Sequence, residues 1–186
     1  MLRPDGDHRN ALRNFGALVF ARKLRERARI AVINGHPDPR PERFCAALAG
    51  AYAQGARSAG LEVRELVTGA GDISPESAFQ ALDWANHFVV VFPMWLDRPP
   101  APLQAFFAGW ARHVVEGGYI EPPARTARLV VTMGMPAFAH RRQSEAISLP
   151  GIYRADISYI GSVESASPKQ RAAHLADAWR TGARTA

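Results

Sequence analysis

A chain of 186 residues is long enough to bury one core without metal or disulfide support, and its single cysteine excludes an internal disulfide or a cysteine-built zinc site. The formal charge of +6 does not signal nucleic acid, because it is concentrated in one place: residues 1–29 hold eight Arg/Lys against Asp5, Asp7 and Glu26, while the rest sets 15 basic against 14 acidic side chains. No apolar run approaches the ~20 residues that span a bilayer, so the chain reads as soluble and cytoplasmic.

Residues 8–28 predict an amphipathic helix, with Leu12, Phe15, Val19 and Leu24 on an apolar face and arginines opposite. Residues 1–28 are therefore set apart, as a basic N-terminal extension, from one domain over 29–186. Three readings of this arm are open: contact with an anionic membrane surface or a membrane protein, an import peptide, although the Ser enrichment of transit peptides is missing, or an extension that packs on the body or frays.

Beyond the arm, strands and helices alternate. Arg29–Asn34 reads as a strand and about Pro41–Ser58 as a helix, with Pro41 at its first position and Phe44, Ala47, Leu48, Ala51 and Tyr52 in one stripe. Cys45, set among Phe44, Ala46, Ala47 and Leu48, reads as a small buried apolar residue and not as a reactive thiol. Leu61–Val67 is the second strand and about Glu76–Ala85 the second helix. His87–Phe92 is a continuous apolar strand of the kind buried on both faces of a parallel sheet. Ala101–Val114 predicts a third helix, Arg128–Thr132 a fourth strand, and Ile157–Ile160 a fifth. Ser167–Thr181 closes the chain as a helix, with Pro168 at its first position and Ala172, Leu175, Ala176 and Trp179 inward. Strands alternating with helices predict an α/β fold of parallel strands joined by right-handed crossovers.

Three loops at the carboxyl ends of these strands carry the candidate chemistry. After the first strand, Asn34-Gly35 leads through Pro37, Pro39 and Pro41 into a helix, a layout that suits an anion at a helix N-terminus. The prolines donate nothing, so the donors there are the N–H groups of His36, Asp38, Arg40, Glu42, Arg43 and Phe44. After the third strand comes Pro93-Met94-Trp95-Leu96. After the fourth comes Thr132-Met133-Gly134-Met135, where Gly134 lets backbone approach a flat ring closely.

In this order, GHPDPRPERFCAALAGAYAQGARSAGLEVREL, VVVFPMWLDRPPAPLQAFF, VVTMGMPAF and GIYRADISYIGSVE resemble the flavodoxin-like NAD(P)H-dependent oxidoreductases of the quinone-reductase group. The resemblance spans roughly Ile30–Arg180. It implies a three-layer sandwich with strand order 2-1-3-4-5 and bound FMN, with FAD as the alternative. It also implies NAD(P)H as reductant, a quinone-like acceptor, and a homodimer with two flavin sites at its interface.

By the same resemblance, His36, Arg40, Arg43 and Phe44 face the flavin phosphate, Pro93, Met94, Trp95 and Leu96 border the ring, and Thr132, Met133, Gly134 and Met135 face its pyrimidine edge. His140 takes the place of a Tyr above the flavin edge, where an imidazole can donate to a quinone oxygen. Departures accompany the match. Arg40 replaces a Ser or Thr that caps the helix, so Arg40 and Arg43 either supply the phosphate contacts or extend into solvent. Asp97-Arg98 replaces a small position, and the segment Arg142–Pro150 is shortened. A non-catalytic or weakly catalytic regulatory subunit of a membrane-associated partner is the rival reading, and a one-electron carrier is a third.

Overall fold

Apolar residues at every position of Ile30–Ile33 and Phe88–Phe92 require cover on both faces, and these two segments lie side by side inside the sheet. The computed structural model describes residues 28–69, 74–95, 98–117, 125–140 and 152–185, without the side chains of 139–140 and 152–154. Along the chain run β1 (Arg29–Asn34), α1 (Phe44–Ser58), β2 (Glu62–Val67), α2 (Pro75–Trp84), β3 (His87–Pro93), α3 (Ala101–Glu116), β4 (Arg125–Thr132), a 3-10 turn (Ala137–His140), β5 (Ile152–Ile160) and α4 (Pro168–Ala183). All pairings are parallel and the order is β2-β1-β3-β4-β5, as predicted. Of the predicted arm, residues 1–27 lie outside the described residues, and so does the shortened segment Arg142–Pro150. Among the described residues no helix is long and apolar enough to cross a membrane.

Period-2 alternation divides the core. Ala31, Ile33, Val90, Phe92, Leu129 and Val131 face Leu82 of α2 and Leu103 and Trp110 of α3. Ile30, Val32, Val89 and Val91 face Leu48, Tyr52, Ala53 and Ala56 of α1. The α1 stripe is therefore centred on Cys45, Leu48, Tyr52 and Ala56, one residue round from the predicted one, and Cys45 is buried as expected.

Three boundaries differ from the sequence reading by three residues or more. The Arg43 N–H donates to the Arg40 carbonyl at 3.1 Å, closing a turn with Pro41 as its second residue, so α1 starts at Phe44 and not near Pro41. Strand β4 begins at Arg125, buried with its guanidinium over the rings of Phe88 and Trp110, 5.5 and 5.4 Å away. Strand β5 begins at Ile152, because an edge strand hydrogen-bonded only to β4 tolerates polar residues along its length.

Helix α4 carries the capping box its sequence announces: Ser167 accepts the Gln170 N–H at 3.3 Å and Gln170 accepts the Ser167 N–H at 2.8 Å, with Pro168 in the first turn. Its inward face matches the predicted one only at Leu175. Ala172, Ala176 and Trp179 are exposed, while Leu175 and Ala178 pack against the α1 core. The two helices meet backbone to backbone. A Cβ on Gly55 would strike the Trp179 carbonyl oxygen, and one on Gly182 would strike that of Tyr52.

Candidate functional site

The strand order decides where a ligand enters. The chain leaves β1 towards β2 on one side, and β3 lies on the other, so the carboxyl ends of β1 and β3 flank a topological switch point. A cleft of about 480 Å³ opens there, within the ~300–1,000 Å³ typical of small-molecule sites.

The β1 loop forms the first wall and is fixed by its own polar groups. Asn34, buried at the end of β1, accepts the His36 N–H at 3.1 Å. His36 Nδ1 lies 2.9 Å from the Asp38 carbonyl oxygen and 3.0 Å from the Asp38 amide nitrogen, donating to the carbonyl in one tautomer and accepting from the amide in the other. Asp38 then gathers both arginines. Its carboxylate accepts Arg40 Nε at 2.9 Å and Nη2 at 2.6 Å, Arg43 Nε at 2.6 Å and Arg43 Nη2. The Arg40 guanidinium, with Arg43 assisting, holds the Asp38 carboxyl far below the usual carboxylate range. Behind this cluster α1 begins uncapped. Arg43 makes no side-chain cap, and the N–H groups of Phe44, Cys45 and Ala46 have no intrahelical carbonyl to reach.

The second wall is the β3 loop. Met94 donates its N–H to the Thr132 carbonyl at 2.8 Å, which ties this loop to β4. Trp95 exchanges backbone hydrogen bonds of 3.1 and 3.0 Å with Arg98, leaves its indole 54% exposed, and meets His36 edge to face at 6.3 Å.

The β4 loop is the third wall. Buried Thr132 has its Oγ1 3.3 Å from Cys45 Sγ, and burial pushes the Cys45 thiol up to about 11, so it is no nucleophile at neutral pH. A Cβ on Gly134 would meet only the Glu164 carboxylate, at an ordinary 3.6 Å, so the glycine leaves the cleft floor open without being required by the protein's own packing.

A fourth wall comes from Val163 and Glu164 after β5 and from Arg171 of α4. Arg171 donates to the carbonyls of Val163 at 2.7 Å and Ala166 at 3.4 Å, with its guanidinium 5.2 Å from the centre of the Phe44 ring. Among the described residues it has no carboxylate partner.

A family model described as flavodoxin-like fold matches residues 28–180. The chain belongs to the flavodoxin-like fold family. No curated protein matches it. Its flavodoxin-like architecture is shared with a solved NAD(P)H:quinone oxidoreductase from Methanothermobacter marburgensis, at 16% identity and a TM-score of 0.61 over 84% of this chain and 96% of that one. An FMN-dependent NADH-azoreductase from Bacillus anthracis, solved in complex with FMN, is similar at 12% identity and a TM-score of 0.63, over 84% and 98%. An NADPH-quinone reductase from P. pentosaceus gives 13% and 0.59, over 85% and 99%.

Within the flavodoxin-like frame, His36, Arg43, Phe44, Pro93, Met94, Trp95, Thr132, Met133 and Gly134 line the same cleft. Arg40 and Met135 stand outside its lining: Arg40 is turned onto Asp38, and Met135 is 48% exposed. Leu96 lies outside the described residues, and His140 ends the 3-10 turn with its side chain outside them. The sequence reading offered Asp38 and Glu42 only as main-chain donors and missed Pro37, Cys45, Val163, Glu164 and Arg171 as lining residues. Topology held a signal for the last three: in a parallel sheet the loop after the fifth strand opens at the same edge as the other loops.

Proposed function

We propose that the chain binds FMN in this cleft and acts as an NAD(P)H oxidoreductase with a quinone or similar small molecule as acceptor. One observation carries the reading, the layout of a single cleft. Its lining joins an uncapped helix N-terminus and Arg171, whose guanidinium meets no carboxylate among the described residues, to Met94, Met133, Gly134 and the exposed Trp95. The quinone reductases and FMN-dependent azoreductase that share the fold support it. When bound, FMN accepts a hydride from NAD(P)H and returns two electrons to the acceptor.

The chain supplies position and charge. The N–H groups of Phe44, Cys45 and Ala46 and the Arg171 guanidinium hold the phosphate, and the same donors suit the inner phosphate of FAD. His36 places its imidazole beside the ribityl or phosphate oxygens. Met94 and Met133, both buried, shield one side of the ring from water. The Met133 N–H is spent on the Ile160 carbonyl at 2.9 Å, so the Gly134 N–H is the donor of this loop assigned to the pyrimidine edge, where it would stabilise developing negative charge. His140 supplies a proton to the acceptor oxygen.

The purified protein is expected to show flavin absorbance near 450 nm on FMN addition, to bleach when NAD(P)H is added anaerobically, and to regain colour with a quinone. A chain that stays colourless and leaves FMN fluorescence unchanged contradicts the reading and leaves the regulatory-subunit alternative.

A further inference from the structure

We infer that Asp38 is an internal competitor for the flavin phosphate: its carboxylate already occupies the guanidinium groups of Arg40 and Arg43, so FMN is held below the affinity this loop can provide. The inference rests on the flavin reading above and specifies how that site is regulated. Arg43 is the N-cap of α1 and lines the cleft beside the N–H groups of Phe44 and Cys45, yet both its Nε and its Nη2 point to Asp38 Oδ2. Arg40 adds Nε and Nη2 bonds to the same carboxylate, and its backbone N–H reaches Oδ1 at 3.2 Å. One carboxylate thus accepts from two guanidiniums and a main-chain amide at the mouth of an anion-binding turn.

Charge makes the consequence definite. A phosphate monoester carries about −1.5 to −2 at neutral pH, whereas Asp38, Arg40 and Arg43 together offer +1. Glu42 and Glu164 add two further carboxylates to the lining. Removing the Asp38 charge while keeping its shape leaves +2 and frees two forks suited to phosphate. Because the competitor is part of the chain, dilution does not remove it, and the bound flavin is exchangeable.

The test is a mutant cycle of wild type, D38N, R40Q/R43Q and D38N/R40Q/R43Q, read by flavin fluorescence quenching, titrating FMN and, separately, riboflavin, which lacks the phosphate. D38N is expected to lower the FMN Kd by about tenfold or more, mainly through slower release, while riboflavin affinity stays within about twofold. The gain is expected to disappear in D38N/R40Q/R43Q. D38S is measured in parallel, and thermal melting of each variant confirms that it is folded. An FMN Kd that is unchanged or raised in folded D38N and D38S overturns the inference, because Asp38 then only orients the arginines. Equal tightening of FMN and riboflavin overturns it as well. Wild-type protein that binds neither ligand overturns the flavin reading itself, a result distinct from either of the others.

Discussion

At the scale of single residues, the cleft divides its arginines into two kinds. Arg40 and Arg43 share the Asp38 carboxylate, whereas Arg171 donates only to main-chain carbonyls and lies over the Phe44 ring at the start of α1. Charge-assisted hydrogen bonds contribute about 1.5–3 kcal/mol, roughly 10- to 150-fold in affinity. R171Q is therefore expected to raise the FMN Kd by about 10-fold or more and to leave riboflavin binding nearly unchanged, with R171K in between because it keeps the charge and loses the fork. Fluorescence titration of both flavins checks this. Equal weakening of FMN and riboflavin by R171Q would instead mark Arg171 as a clamp on the Val163 loop.

At the scale of elements, a chain of hydrogen bonds links the sheet to the α1–α4 pair. Thr185 donates its hydroxyl to the Thr181 carbonyl at 2.9 Å, so it accepts the Tyr52 O–H at 2.5 Å. The Tyr52 oxygen is then left to accept His87 Nε2–H at 3.4 Å, and His87 Nδ1 accepts the Thr126 hydroxyl at 2.7 Å. Every group is used only if the imidazole is neutral. Burial first, and the neighbouring Arg128 second, pull His87 down to about 4, with Asp156 opposing. An unfolded histidine takes up its proton near 6.5, so between about 4 and 6.5 the unfolded state binds more protons than the folded one. Stability accordingly rises with pH through this window and is lost on acidification from about 6.5 down to about 4. Urea unfolding midpoints of wild type and H87Q across pH 7 to 4.5 are expected to diverge, the variant showing the flatter profile because Gln keeps a donor and does not titrate. Parallel profiles would remove His87 from the account.

At the scale of the whole molecule, the strands, the helices and three walls of the cleft were legible because strand periodicity and Gly/Pro punctuation are local, whereas the sheet order came from the family resemblance. The start of α1 was not, since Pro41 suits a first helical position and the second position of a turn equally well, and only the Arg43–Arg40 hydrogen bond decides. The inward face of α4 was hidden in part because glycine and backbone bring it onto α1, with Leu175 alone among the predicted inward residues packing there. Arg171 and Glu164 join the cleft only through the fold. A surface feature at the same edge bears on assembly: Trp95, Met135 and Phe138 are 54%, 48% and 79% exposed on loops beyond β3 and β4. Large apolar side chains left in water beside a cleft favour covering by a partner, and a second copy completing the flavin site fits the homodimer reading. Light scattering coupled to size exclusion is expected to give a dimer at micromolar concentration, and M135E/F138E to give a folded monomer with weakened FMN binding. A wild-type monomer that binds FMN at full affinity would show instead that these side chains cover the ligand and not a second chain, because the cleft would then be complete within one copy.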